Sequence, residues 1–238
     1  PEGGLFYLAY RWSAGFRAGR ITERIREKLD QGSGKISFED MQSIQADVKL
    51  RDAQFFAPFI VAAFGRATAK DAVPALAALG ADPSVAAAVA RLATWTYDTP
   101  TGIPEGYDAG DPPGHPGKPT PDQVDASVSA TIYSAWRSRF VRGTIDAFLA
   151  PIGLPLPDSE ESLVALRHLL EQPDATVGIG ASGVNFFNVP GVPAAVDRRD
   201  IVILSSLKDA LADLAGPAFA LAFGASRNQN DYRRGRLH

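Results

Sequence analysis

The sequence of 238 residues has no cysteine. That excludes disulfides, thiolate nucleophiles and cysteine-ligated zinc, and it leaves the compartment open, since disulfide-free proteins occur everywhere. Histidine is nearly as scarce: His115, His168 and His238 are widely separated, which argues against a histidine metal site. Long apolar runs are missing too. The longest, Phe55 to Phe64, contains Pro58 and falls well short of the roughly 20 residues a spanning helix needs. No basic stretch followed by an apolar core opens the sequence, so no signal peptide is read there, although a shortened chain would have lost one. An excess of one charge is also absent. Lys and Arg number 24 against 27 Asp and Glu, a formal net charge of −3, which gives no electrostatic case for nucleic acid or an anionic membrane. Arg233, Arg234, Arg236 and His238 do cluster at the C-terminus, but four such groups on a tail are more often solvated than a binding site.

What is present is ordinary globular material, 45% hydrophobic and 21% charged, and rich in alanine, which favours helix. Phe16, Ile21, Ile25 and Leu29 make one face of an amphipathic helix over Gly15 to Leu29, stopped by Gln31-Gly32-Ser33-Gly34. Ser37 and Asp40 form a capping-box pattern, and Met41, Ile44 and Val48 are expected as the buried stripe of the next helix. A third helix carries Phe55, Phe56, Phe59, Ile60 and Phe64, so wide an apolar face that it should be central, with Pro58 inside it as a potential bend. Asp71 to Leu79 and Ser84 to Trp95 read as further helices.

Between Thr99 and Pro121, seven prolines alternate with five glycines, and no helix or central strand survives that punctuation. Asp122 to Leu149 predicts a long helix with Val124, Val128, Ile132, Trp136, Phe140 and Ile145 at helical spacing, ended by Pro151 and Gly153. Ser159 to Leu170 is a short capped helix, and Asp200 to Leu214 carries Ile201, Leu204, Leu207, Leu211 and Leu214 on one face. Only Asp174 to Val196 has strand-like texture, too broken by glycine, Pro190 and Pro193 for long strands. The expectation is a mainly α protein, residues 1–238 forming one helical region with two long Gly/Pro-rich loops, about 99–121 and about 172–197.

Few motifs carry chemistry. Gly178, Gly180 and Gly183 match the dinucleotide-fingerprint spacing, yet the residues after them do not start a helix, so an ordinary glycine turn is the better reading. The same segment lacks the second glycine of a nucleophile elbow. Glu105, Asp108 and Asp111 do not fit the alternating oxygen positions of an EF-hand and read as solvated loop acids. His168 reads as a surface or satisfied histidine. In the first helix the i,i+4 pairs Arg20–Arg24 and Glu23–Glu27 are like-charged, which hints at a partner for Arg20 outside its own helix, with exposure to water as the alternative.

Several blocks in order resemble the penicillin amidase (penicillin acylase) family of N-terminal-nucleophile hydrolases, specifically its β subunit. Ala18-Gly19-Arg20-Ile21 leads into a helix. Ser37 to Ile60 is similar to the family's "edm…iq.D…a…p.l" pattern, with Met41, Gln45, Asp47 and Pro58 in register. Trp95 and Asp98 look like a spaced-out tryptophan-aspartate turn, and Asp125 to Trp136 resembles the helix that follows it. Gly235 and His238 resemble the closing "W.WG..H" signature, with Tyr232 and Arg234 in place of its tryptophans.

The resemblance implies hydrolysis of an amide bond by an N-terminal serine whose α-amino group is the base, through an acyl-enzyme, with backbone N–H groups and an asparagine stabilising the oxyanion. Proline cannot be that serine, so a chain opening on Pro1 is expected to be an internal piece of the β subunit, inactive alone. Its expected partners are the α subunit, the serine-bearing part of β and a small acyl amide, with no nucleic acid and no membrane. A periplasmic or secreted location is implied by the family only. Arg20 is the one residue tied to the active site, in a supporting role. Gly3 to Trp12 contains no acid, so no metal site is carried over and no cofactor is expected. The acylase reading predicts an exposed apolar face where the remainder would pack; the rival, a non-catalytic helical interaction module, predicts none.

Overall fold

The computed structural model describes residues 15–32, 34–100 and 119–237. The expectations for Pro1, Gly3 to Trp12, Glu105, Asp108, Asp111, His115, His238 and the body of the 99–121 loop lie outside the described residues. Helix accounts for 67% and strand for 2%, with no sheet among the described residues, so the chain is mainly α.

The helices are α1 (Phe16–Gln31), α2 (Phe38–Gln45), α3 (Arg51–Ala67), α4 (Pro74–Gly80), α5 (Pro83–Thr94) and α6 (Pro121–Val141). A π-helical turn, Arg142–Asp146, leads into the short α7 (Ala147–Leu149) and a 3-10 turn ending in Gly153, whose φ of 71° needs no Cβ. Then come α8 (Ser159–Leu170), α9 (Ala195–Leu214) and α10 (Ala220–Phe223).

The helix starts follow local chemistry. Ser37 and Asp40 close the expected capping box, and Thr120–Gln123 and Asp158–Glu161 form two more; such caps are each worth about 1 kcal/mol. α4 begins at Pro74 rather than Asp71, because the proline ring pushes Val73 into extended backbone (ψ 146°). Asp82 caps α5: its carboxylate accepts from Ser84 Oγ at 2.6 Å and Ser84 N at 2.9 Å, and faces Lys208 Nζ at 3.0 Å.

The Ser84 hydroxyl above all, helped by Lys208, lowers the Asp82 carboxyl from 3.8 to about 2. The unfolded chain therefore binds this proton more tightly than the folded one, and the stabilisation is complete above the ordinary value and drains as pH falls from about 4 to about 2. Thermal melts of Asp82→Asn should accordingly fall below wild type at pH 6, with the gap closing by pH 2.

α6 is central. Ser127 to Tyr133 is buried without a break, followed by Trp136 and Phe140, the pattern of a helix enclosed on all sides. α9 packs along it, α5 packs against both, and α3 packs on α9 and α5 and reaches α6 through Phe56 on Trp136 and Asp52 on Tyr133. Aromatic rings run through the middle: Tyr133 and Trp136 have centroids 5.6 Å apart, Trp136 stacks on Phe140 at 4.9 Å, and Phe140 on Phe187 at 5.8 Å. Contacts of this kind add about 0.5–1.5 kcal/mol each beyond area burial. The long helix loosens after Val141, where the Thr144 hydroxyl donates to the Phe140 carbonyl at 2.6 Å, the acceptor an α-helical Thr144 N–H would use.

The buried stripe expected on the second helix is corrected. α2 has no buried residue, and Met41 is 43% exposed; the amphipathic α1 has none either. Val48 lies beyond α2 altogether, because that helix stops at Gln45. The periodicity marks an apolar face without saying what covers it, and here α1 packs on α2 and on α3. Asp174 to Val196, expected to be too broken for long strands, holds one antiparallel bridge among the described residues, Ile179 to Asn185, and α9 begins within it at Ala195 rather than at Asp200. Gly178 has φ 86° and lies against the Phe187 ring, which a Cβ would strike. The fingerprint-like glycines thus serve a tight turn, closed by Gly183 N–H to Gly180 O at 2.8 Å.

Candidate functional site

Arg20, one turn into α1, grips Asp47 with a two-pronged fork: Nε to Oδ1 is 3.0 Å and Nη2 to Oδ2 is 2.6 Å. Planar guanidinium–carboxylate pairs of this kind are among the stronger and more directional polar contacts. Nη1 donates to Glu23 Oε2 at 2.9 Å. Arg20 therefore has its partner outside its own helix and does not simply face water. Arg24, a turn later, donates to Glu27 at 2.5 Å and to Ser43 Oγ at 3.1 Å, and its Nε lies 3.2 Å from Asp47. Arg51 closes on Glu23 from α3. The like-charged i,i+4 neighbours of α1 are each offset by an opposite charge at i+3 or from another helix.

Burial pushes the Asp47 carboxyl up, but the bonds from Arg20 and from the Lys49 N–H outweigh it and hold the group below its ordinary value. The Asp47 bond, in turn, drives the Arg20 guanidinium further above its already high value. Both ends of the pair are largely shielded, with side chains 15% and 14% exposed.

From Asp47 the network continues into the other motif blocks. The extended Val48–Leu50 stretch pairs with Tyr97–Thr99 through Leu50 N–H to Tyr97 O at 2.9 Å and Thr99 N–H to Val48 O at 3.0 Å. Trp95 stabilises that turn by donating Nε1–H to Asp98 O at 2.8 Å. Tyr97 accepts a φ of 67° there, unusual for a residue with a Cβ. The Trp95 ring packs 5.7 Å from Tyr133. The Tyr133 hydroxyl donates to buried Asp52 at 3.0 Å, and Arg137 Nη1 donates to the same oxygen at 2.6 Å. Burial first, then the Asp52 charge, pushes the Tyr133 phenol well above its ordinary value, so it stays a hydrogen-bond donor.

Above this network lies a groove of about 750 Å³ between α1, α2, the start of α3, and α6 and α8. Arg20, Asp47, Asp52 and Arg137 supply charge, while Phe16, Ile44, Leu50 and Leu163 supply apolar surface. Ile21 and Met41 line it as well and are 41% and 43% exposed. No hydroxyl, thiol or imidazole is found among the described residues lining the groove. Chemically it can recognise and orient a partner through paired charges and apolar contact.

The closing block also reaches α6. Tyr232 is buried, as a tryptophan would be, with its hydroxyl on Ser226 O at 2.9 Å; the Arg234 N–H donates to Ser127 Oγ at 2.8 Å. His168 is exposed on α8, and among the described residues no group of His, Asp and Glu is arranged to hold a metal.

Sequence reasoning singled out Arg20 and the block containing Asp47 but passed over Asp52, Tyr133 and Arg137. Tyr133 and Arg137 are four apart on one helix, a spacing that shares a face; no local signal links either to Asp52.

No curated protein and no solved structure matches the chain. The family model described as penicillin amidase matches residues 1–238, the full length of the sequence. The blocks that meet around Arg20 and Asp47 thus lie within one match, and the chain belongs to the penicillin amidase family.

Proposed function

We propose that this chain works as part of an enzyme that hydrolyses the amide bond of a linear acyl amide. An N-terminal serine, contributed by a segment outside the described residues, attacks the carbonyl carbon. Its proton passes by way of the α-amino group to the leaving amine as the C–N bond breaks, and water then cleaves the acyl-enzyme to the free acid. Family membership supports amide hydrolysis in general. The observation that carries the finer reading is the convergence of three family-like blocks on the Arg20–Asp47 fork beneath the groove.

In this reading Arg20 is a positioning residue. It clamps the α1–α2 hairpin so that the groove receives the serine-bearing segment. Exposed Ile21, Met41 and Phe38, the last 72% exposed, favour such an apolar docking face over a closed interaction module.

The test is amine release from a series of chromogenic acyl anilides by the full protein, as wild type, Arg20→Lys and Arg20→Ala. A burst of amine ahead of acid would mark the acyl-enzyme. Arg20→Ala should lower kcat on the order of tenfold to a hundredfold with KM little changed, the signature of misplaced machinery. Arg20→Lys, which keeps the charge without the fork, should recover part of it. Full kcat in Arg20→Ala would remove Arg20 from the site, and no hydrolysis of any anilide by the wild-type protein would overturn the reading itself.

A further inference from the structure

A second pocket, of about 400 Å³, lies where the π-helical turn faces α8, within the size range of small-ligand sites. π-Turns interrupt α-helices disproportionately at functional positions. Here the turn has a specific consequence. Arg142 and Asp146, four apart, both line the pocket, yet no ion pair joins them. Arg142 uses only Nε, on the Ser138 carbonyl at 3.2 Å, which leaves its two terminal nitrogens without partners among the described residues. Asp146 likewise has no partner there.

Arg137, whose Nη1 is committed to Asp52 at 2.6 Å, and Glu160 also line the pocket, and hydroxyls supply the rest of its polar surface. Ser138 and Ser159 make no side-chain hydrogen bond among the described residues, and Ser162, 1% exposed, has an orphaned Oγ. A buried polar atom without a partner in a native fold calls for an explanation. Val141, Leu156 and Leu163 form the apolar wall, with Leu156 51% exposed at the mouth.

From this juxtaposition we infer that the pocket binds a small zwitterion with an apolar side chain, of the free amino acid class. The ligand carboxylate lies on the Arg142 guanidinium and its ammonium on Asp146. The serine hydroxyls satisfy the remaining polar atoms, and the side chain rests on Val141, Leu156 and Leu163. Opposite charges held apart on one wall are matched by a molecule that carries both, which satisfies each without closing the pocket. The pocket adjoins the groove and shares Arg137, Glu160 and Leu163 with it, but the inference does not depend on amide hydrolysis, since neither Arg142 nor Asp146 belongs to the Arg20–Asp47 network.

The experiment is titration of the isotope-labelled full protein with L-phenylalanine, N-acetyl-phenylalanine and phenylalanine amide, followed by backbone amide shifts. Saturable binding by phenylalanine is expected, weak as befits a small ligand in an open pocket, with shifts confined to residues 138–146 and 156–163. Each capped derivative, lacking one charge, should bind at least tenfold more weakly. Arg142→Gln should abolish the preference for a free carboxylate, and Asp146→Asn that for a free amine. The capped ligands keep the test valid in the unaltered protein, whatever the variants do to folding. Absence of saturation, equal binding of capped and free ligands, or binding that survives both substitutions would overturn the inference.

Discussion

Trp136→Ala is expected to remove a large share of the folding free energy. The indole is fully buried between Phe56, Tyr133 and Phe140, with ring centroids 6.4, 5.6 and 4.9 Å away. Emptying that volume costs about 3–5 kcal/mol, because the surrounding rings collapse only partly. Nε1–H also donates to the Ile203 carbonyl of α9 at 3.0 Å. That carbonyl lies within a helix and keeps its helical donor, so the lost bond adds only about 1 kcal/mol. Against a total of roughly 5–15 kcal/mol for a domain, the variant should be marginal. Urea denaturation would show a much lower midpoint with an unchanged slope. Trp136→Phe, which keeps a ring and loses the donor, should recover more than half of the loss. A cost for Trp136→Ala under about 1.5 kcal/mol would mean that α6 is not enclosed as described.

Removing Asp200 should be nearly as damaging, for an electrostatic reason. Its carboxylate is completely buried and is held by both arms of Arg66 from α3 and by Arg199 Nε at 2.9 Å. Asp200→Ala leaves Arg199, itself 6% exposed, with only Asp174 at 3.6 Å as a charge partner among the described residues. Breaking one side of a buried pair costs about 3–5 kcal/mol, chiefly for the charge left behind. Arg66 is 41% exposed in its side chain and can turn to water, which places the expected loss near the lower bound. The double variant Arg66→Ala/Asp200→Ala should therefore fall short of additivity by 1 kcal/mol or more, as expected for residues that share a partner. Strict additivity in denaturant melts would show that the two groups do not meet in solution. The loss should also respond weakly to salt, because a shielded pair is poorly screened.

These two sites bracket what could be read locally. The existence of α3, α5, α6, α8 and α9 follows from apolar spacing and from prolines at the first helical turns of α5 and α6, and the start of α2 from the Ser37–Asp40 cap, whereas α9 begins five residues before the expected Asp200 and α6 ends at Val141 instead of running to Leu149. Each of these depends on groups within four residues of one another, where backbone geometry leaves little choice. The glycine turn at 178–183 and the resemblance to penicillin amidases were legible for the same reason, since turn and motif are contiguous in the chain.

Tertiary structure decided everything that needed a distant neighbour. Asp47 meets Arg20 across 27 positions, Asp52 meets Tyr133 across 81, and Asp200 meets Arg66 across 134. Whether the stripes of α1 and α2 are covered was equally beyond local reading, because periodicity orients a face without supplying a partner. The open pair of Arg142 and Asp146 likewise arises from a change in helical winding after Val141. A one-dimensional pattern records each side chain's preference for burial or charge; only the packing of α6 against α3, α5 and α9 determines which preferences find an answer.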